Sequence, residues 1–211
     1  MNNSDAYEWY PYIHYLSQPK EDKSAPSNKE IASVRRGLTA ATETYAYPYV
    51  LPQLTPGSPL STEQALLRGA ALVAEFKDKI PAYHPGETQE GVRRRTFGQW
   101  AGLVARNRGE LLDPDAPGII GSRLAYLHTQ SLDEASMTIR RILLIASASE
   151  SRVPAIDYID LVRTLLFWGR GLTENSRQHR LRIIRDFYRP VLQVESDDES
   201  ATDAPSSPES L

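Results

Sequence analysis

The chain has 211 residues, 40% of them hydrophobic, and is therefore long enough to bury a core in one domain or two small ones. It contains no cysteine, which excludes disulfides, zinc–thiolate sites and thiol chemistry. Because it has no uninterrupted apolar run of about 18 residues and no signal-peptide pattern, we expect a cytoplasmic protein without a membrane partner.

Charge is distributed unevenly, although the formal net charge is only -3. Residues 195–211 carry six acids and no Lys or Arg, whereas residues 29–194 carry 22 basic and 17 acidic residues, a net charge of +5. Nineteen of the 24 basic residues are Arg. The planar guanidinium group suits phosphate, so this bias fits a nucleic-acid partner. A GC-rich genome, whose codons favour Arg, is an equally good explanation of the composition.

Apolar residues recur at helical spacing along most of the chain. The pattern predicts helices over residues 29–38, 61–76, 96–106, 119–130, 131–148, 155–168 and 173–192. Ser61 with Gln64, and Ser131 with Glu134, match the capping box that begins a helix. Alternating strand patterns joined by hairpin turns do not occur. We therefore predict an all-α fold, a compact bundle of about seven to nine helices in one body or two helical halves.

The chain is predicted to divide into three regions. Residues 1–28 form an N-terminal aromatic arm, helical or extended, followed by a polar linker. Residues 29–193 form the helical domain, and residues 194–211 form a disordered acidic tail that cannot bury enough apolar surface to become ordered. Because the tail is negative and the domain positive, we expect the tail to compete with nucleic acid for the same arginines.

The sequence does not indicate a catalytic site. The histidines lie in four separate segments and lack metal-site spacing, and no glycine-rich phosphate loop occurs. Asp157 and Asp160 could present two carboxylates to a metal, but the same spacing fits the acidic first turn of a helix. We therefore predict a protein that is not an enzyme and has no cofactor or metal.

Clustered arginines are the best candidates for a binding role. The clusters are Arg35 and Arg36; Arg93, Arg94 and Arg95; Arg140 and Arg141; and Arg182, Arg185 and Arg189. At about 100° per residue, Arg140 and Arg141 project roughly 100° and 200° from the apolar Ile139 and should face away from the core. Such clusters bind phosphate or form internal salt bridges, with Asp160 and Asp186 as plausible partners. Since no base-reading motif is present, we expect any nucleic-acid contact to be to phosphate and sugar.

Eight short motifs follow one another between about residues 30 and 190. They are IASVRR at 31–36, YPYV at 47–50, TFGQW at 96–100, SRLAYL at 122–127, IRRIL at 139–143, IDY at 156–158, LFW at 166–168 and RDFYRP at 185–190. This ordered set resembles the CasB family, the small subunits of the type I-E CRISPR Cascade complex. Three features depart from the family pattern: Ile183 and Ile184 replace Trp-Ala, Arg123 stands alone where the family has two arginines, and the acidic tail after Gln193 is not part of the pattern.

The resemblance implies an all-α, non-catalytic subunit that sits as a pair in the complex, against the subunits that hold the guide RNA. It would stabilise the target and displaced DNA strands of the R-loop, where guide pairing reads the sequence. Trp168, Phe187 and Tyr188 are then expected in the core rather than at an interface. With the clusters above, the resemblance gives seven nucleic-acid-binding candidates: Arg35, Arg36, Arg94, Arg95, Arg123, Arg140 and Arg141. The alternative is a helical protein–protein adaptor with no nucleic-acid role.

Overall fold

The computed structural model describes residues 8–84, 94–113, 115–149, 152–168 and 173–189. The α-helices in these ranges are α1 (Tyr10–Leu16), α2 (Asn28–Arg35), α3 (Tyr47–Val50), α4 (Leu60–Phe76), α5 (Phe97–Asn107), α6 (Ile119–Ala125), α7 (Leu132–Ser147), α8 (Tyr158–Trp168) and α9 (Glu174–Tyr188). Over the same ranges there is no β-sheet, and one isolated parallel bridge pairs Ala82 with Ile156. The all-α prediction is confirmed. None of the helices described is long and apolar enough to cross a membrane.

Helix α4 is the centre of the first of two helix groups. Eleven of its 17 residues are buried, because α1, α2, α7 and α8 pack around it. In the second group α5 and α6 pack against α9, and α8 contacts both groups. One continuous hydrophobic core runs through both, and it includes Trp168 and Phe187 as expected, with the partly buried Tyr188 packed against it.

Helices α5 and α9 approach each other closely because glycine faces the contact. A Cβ atom at Gly98 would lie 2.3 Å from the carbonyl oxygen of Ile183, and one at Gly102 would lie 2.5 Å from that of Phe187. Both distances are shorter than carbon–oxygen contacts allow, so a larger residue at either position would push the helices apart.

The predicted helix starts are partly right. Ser131 and Glu134 form the expected capping box at the start of α7. The prediction for Ser61 is wrong, because α4 begins at Leu60 with Pro59 in the N-cap position. The extended Pro59 offers its carbonyl to the N–H groups of Thr62 and Glu63, at 2.8 and 3.1 Å, which starts the helix before Ser61.

Two other predicted segments differ in detail from the structure. The segment 119–130 divides at Tyr126 into α6 and a 3-10 turn, Leu127–Thr129. The segment 29–38 is α-helical only to Arg35 and ends in a 3-10 turn, Arg36–Leu38. Two more 3-10 turns follow, Glu43–Tyr45 and Leu51–Gln53. The predicted acidic tail and residues 190–192 of the last predicted helix lie outside the described residues.

The N-terminal aromatic residues that the structure describes pack onto the body. Trp9, Ile13 and Leu16 are buried in the core, and Ser17 follows α1. The hydroxyl groups of Tyr12 and Tyr15 donate hydrogen bonds of 3.2 and 3.0 Å to the carboxylate of Glu30 on α2. Burial, with the adjacent Glu30 charge, raises the pKa of Tyr12 far above its usual value, so the hydroxyl remains a donor.

Candidate nucleic-acid interface

Three of the seven candidate arginines line one open groove. Arg35 ends α2, Arg36 begins the 3-10 turn that follows, and Arg140 reaches the groove from α7. The groove has a volume of about 500 Å³. Its other lining residues are Ala32, Leu38, Thr39, Thr42, Glu75 and Met137. We refer to it below as the α2–α7 groove.

Arg140 is held by a carboxylate rather than left free for a ligand. Its Nε and Nη2 atoms donate to the two carboxylate oxygens of Glu75, at 2.7 and 2.6 Å. The Glu75 side chain is 8% exposed and that of Arg140 is 32% exposed. The hydrogen bond to Glu75 raises the pKa of Arg140 above its usual value. The groove therefore has three cations and one anion, a net charge of +2.

Arg35 and Arg36 are exposed members of the groove lining. Among the described residues, no carboxylate forms an ion pair with either of them. The guanidinium carbon of Arg36 lies 4.3 Å from the ring centroid of Tyr45, which is cation–π distance. The Thr42 hydroxyl donates a 2.7 Å hydrogen bond to the Arg36 carbonyl and holds the loop closed behind it. Both guanidinium groups are thus presented to solvent from a fixed backbone.

A buried arginine on α4 fastens this loop to the helical body. Arg68 is 1% exposed, and its Nη1 atom donates to the Gly37 carbonyl and the Glu43 carboxylate, both at 2.6 Å. Its Nε atom donates to Asp133 at the start of α7, at 2.7 Å. Arg68 therefore joins α4, the loop and α7 beneath the groove. Sequence reasoning missed it, although a single charge within the apolar run ALLRGAAL is the signal of a buried ion pair.

Arg141 projects from α7 as an exposed side chain and does not line the groove. The helical-wheel prediction that Arg140 and Arg141 both leave the core is right in direction. The prediction did not show that the two arginines have different surroundings. A rotation of about 100° from Ile139 points Arg140 towards α4, where it meets Glu75.

The other candidates lie away from the groove. Arg94 precedes α5, and its Nε atom donates a 2.8 Å hydrogen bond to the buried carboxylate of Asp157. That bond raises the pKa of Arg94 above its usual value. Arg95 is partly buried beside it, and Arg93 is outside the described residues. On α6, Arg123 donates back to the carbonyl of Ile119 in its own helix, at 2.8 Å.

Three buried aspartates hold the start of α5 in place. Asp160 lies in the first turn of α8, as the first-turn interpretation has it, whereas Asp157 precedes the helix and accepts the Asp160 backbone N–H at 2.9 Å. Asp160 accepts the backbone N–H of Phe97 and pairs with Arg163. Asp186 accepts a hydrogen bond from the Thr96 hydroxyl and pairs with two arginines of the last arginine cluster, Arg182 and Arg189. With the carboxylates so used, no group of three or more side chains in the described ranges could hold a metal ion.

Comparisons with known proteins give one family and several solved structures. The family model of the CRISPR-associated protein Cse2 matches residues 30–188. The fold is similar to a CRISPR-associated protein of the Cse2 family from Thermus thermophilus, with a TM-score of 0.56 and 21% identity over 85% of this chain and 96% of that chain. A chain from a "CRISPR RNA-guided surveillance complex" gives a TM-score of 0.56 and 21% identity over 87% and 94% of the two chains.

CasB from Thermus thermophilus gives a TM-score of 0.54 and 22% identity over 85% of this chain and 96% of that chain. A comparison with curated proteins produced no significant match. At these identities the solved structures support the fold, while the family model, which spans most of the chain, establishes the family. The resemblance seen in the ordered sequence motifs is therefore confirmed.

Proposed function

The chain belongs to the family of the CRISPR-associated protein Cse2, and from this membership we propose that it is a non-catalytic small subunit of a CRISPR surveillance complex. In that complex it would bind nucleic-acid backbone without sequence specificity and stabilise the target and displaced DNA strands of the R-loop. Its partners would be the other Cascade subunits, the guide RNA and a second copy of this chain. A similar solved chain comes from an RNA-guided surveillance complex, which supports this assignment.

The observation that carries the binding proposal is the α2–α7 groove. Arg35 and Arg36 are exposed at its edge, and over the described part of the chain no carboxylate neutralises them. A guanidinium group donates in a fork that matches two phosphate oxygens. The hydroxyl groups of Thr39 and Thr42 line the same surface.

Such a groove holds a strand in position but does not read its sequence. Contacts to phosphate oxygens are the same at every nucleotide, so they carry no information about the base. In RNA-guided recognition the guide strand supplies sequence specificity through pairing, and the protein needs only a basic surface for the backbone. The groove meets that requirement with its net positive charge.

The test compares two double charge reversals in the full-length chain, measured by fluorescence anisotropy with a labelled single-stranded DNA. Arg35→Glu with Arg36→Glu removes two groove cations. The matched control is Arg152→Glu with Arg177→Glu, which changes the net charge equally at two exposed positions outside the arginine clusters. For single strands, log affinity changes with log salt by about -0.7 per phosphate contact, so loss of two contacts should reduce the slope by about 1.4.

We expect the groove variant to bind more weakly with the reduced slope, and the control variant to keep the original slope. Equal weakening in both variants would mean that overall charge, and not the groove, determines binding. Co-purification of guide RNA and partner subunits with the tagged chain tests the assignment to the complex.

The alternative, a helical adaptor without a nucleic-acid role, is favoured by exposed apolar side chains around α6. Leu111, Ile119 and Tyr126 are all largely exposed. Scattered apolar residues are common on protein surfaces, and an interface requires a larger contiguous patch. Absence of binding to single-stranded or double-stranded DNA at low salt would support the adaptor.

A further inference from the structure

Tyr45 is an exposed aromatic residue directly beside the α2–α7 groove. It is 54% exposed. Tyr45 is the last residue of the 3-10 turn Glu43–Tyr45, which directly follows the groove residue Thr42. One neighbour of the ring is the guanidinium group of Arg36, 4.3 Å from the ring centroid. The ring, the guanidinium group and the groove therefore form one continuous surface.

The turn that carries the Tyr45 ring is fastened to the helical body. Glu43, in the same 3-10 turn, accepts a 2.6 Å hydrogen bond from the buried Arg68 and a 2.8 Å bond from the Tyr47 hydroxyl. The backbone N–H of Ala46, after the turn, donates to the Glu43 carbonyl at 2.9 Å. A turn that is tied down in this way holds the backbone of Tyr45 in place before a ligand stacks on the ring, which lowers the freedom lost on binding.

The groove combines cationic and apolar surface. Arg35 and Arg36 supply charge, while Leu38 and Met137 line the same space with apolar side chains. A duplex presents mainly phosphates and sugars to such a surface, because its bases are stacked inside. A single strand also presents the faces of its bases, which stack on aromatic rings and on guanidinium planes.

We propose that Tyr45, with Arg36 beside it, is a stacking platform for a nucleobase, and that the α2–α7 groove consequently holds a single strand in preference to a duplex. This proposal rests on the proposed function, since it names the kind of strand that the same groove takes. Arg35 and Arg36 contact the phosphates, and the Tyr45 ring contacts the base next to them. Every base has a π face, so the platform adds affinity without adding sequence specificity.

The experiment measures binding of the full-length chain to three labelled probes of equal length: a single strand of thymidines, the same backbone with abasic sites, and a duplex. The variants are Tyr45→Ala and Tyr45→Phe. Tyr126→Ala is the matched control, because Tyr126 is a tyrosine that is 71% exposed and outside the groove lining. Thermal unfolding of each variant verifies that it is folded.

We expect Tyr45→Ala to weaken binding of the thymidine strand by about tenfold, which is within the range for loss of one stacked base. Binding of the abasic strand should be unchanged, and Tyr45→Phe and Tyr126→Ala should bind like the unsubstituted chain. The unsubstituted chain should bind the thymidine strand more tightly than the abasic strand or the duplex.

Three results would overturn the platform. The first is an equal loss of affinity for the abasic strand in Tyr45→Ala, which would show that Tyr45 only positions Arg36. The second is an unchanged affinity of Tyr45→Ala for the thymidine strand. The third is equal affinity of the unsubstituted chain for all three probes. Failure of the proposed function is distinguishable, because it appears as unchanged binding of the abasic strand when Arg35 and Arg36 are both reversed to Glu.

Discussion

Two adjacent arginines of α7 should respond very differently to the same charge reversal. Arg140→Glu would bring a carboxylate against the carboxylate of Glu75, in place of the two hydrogen bonds of 2.7 and 2.6 Å that join these side chains now. Arg141→Glu changes an exposed side chain for which the described residues provide no ion-pair partner. We expect the first variant to destabilise the fold and the second to leave it unchanged.

The magnitude follows from the exposure of the pair. Removing one partner of a fully buried ion pair costs about 3–5 kcal/mol, because the other charge stays buried without compensation. Glu75 is 8% exposed but Arg140 is 32% exposed, so water solvates one side of the pair. We therefore expect a loss of about 2–3 kcal/mol for Arg140→Glu. For a chain of this size that corresponds to a Tm lower by roughly 4–12 °C.

Arg141→Glu should change the free energy of unfolding by less than about 0.5 kcal/mol, as is usual for an exposed position. Urea denaturation followed by circular dichroism measures both variants. In the Arg140→Glu background, Glu75→Gln should recover much of the loss, because it removes the repulsion and its amide can donate to the new carboxylate. Equal stability of the two single variants would refute the role assigned to the Arg140–Glu75 pair.

Four further outcomes are expected. Arg68→Met should lower the free energy of unfolding, measured in urea, by about 3–5 kcal/mol, because Glu43 is left buried without its cation. In the Arg68→Met background, Glu43→Gln should recover part of that loss. A loss below about 1 kcal/mol for Arg68→Met would contradict the role assigned to the ion pair. Gly98→Ala should lower the stability by about 1–3 kcal/mol by thermal unfolding, because the new methyl group meets a carbonyl of α9 at 2.3 Å. Burial lowers the pKa of His179, so the unfolded chain binds a proton there more readily than the folded chain does. The free energy of unfolding should therefore fall as the pH drops below about 6.5. His179→Gln should reduce that fall, measured between about pH 7.5 and 5.5. Truncation after Val194 should tighten binding of single-stranded DNA at low salt, and unchanged affinity would show that the acidic tail does not compete for the arginines.

The helices could be predicted from the sequence because their signals are local. Apolar spacing over ten to twenty residues places a helix, and the Ser131 capping box depends on residues only three apart. The same rule failed at Ser61, where Pro59 competes as the residue that starts α4. Helix existence is thus determined by a long pattern, whereas a helix end depends on one or two residues that more than one rule can favour.

The candidate site could be predicted only in part, since its electrostatics depend on contacts between distant residues. Arg35 and Arg36 were found from their adjacency and from the family motif. Glu75 is 65 positions before its partner Arg140, and nothing in the local pattern connects them. Arg68 interrupts an apolar run, which signals a buried ion pair, but its partner Glu43 is 25 positions away and no local pattern identifies it.

Pairing with carboxylates, and not the number of arginines, separates the arginines that serve the fold from those available to a ligand. Arg68, Arg94 and Arg140 have carboxylate partners that are themselves buried or nearly so, and these arginines serve the fold in the first place. Arg35 and Arg36 have no such partner among the described residues, and they lie together on one groove with an aromatic ring beside them. The affinity for nucleic acid should therefore follow these two residues, and a change in total charge elsewhere on the surface should alter it little at physiological salt.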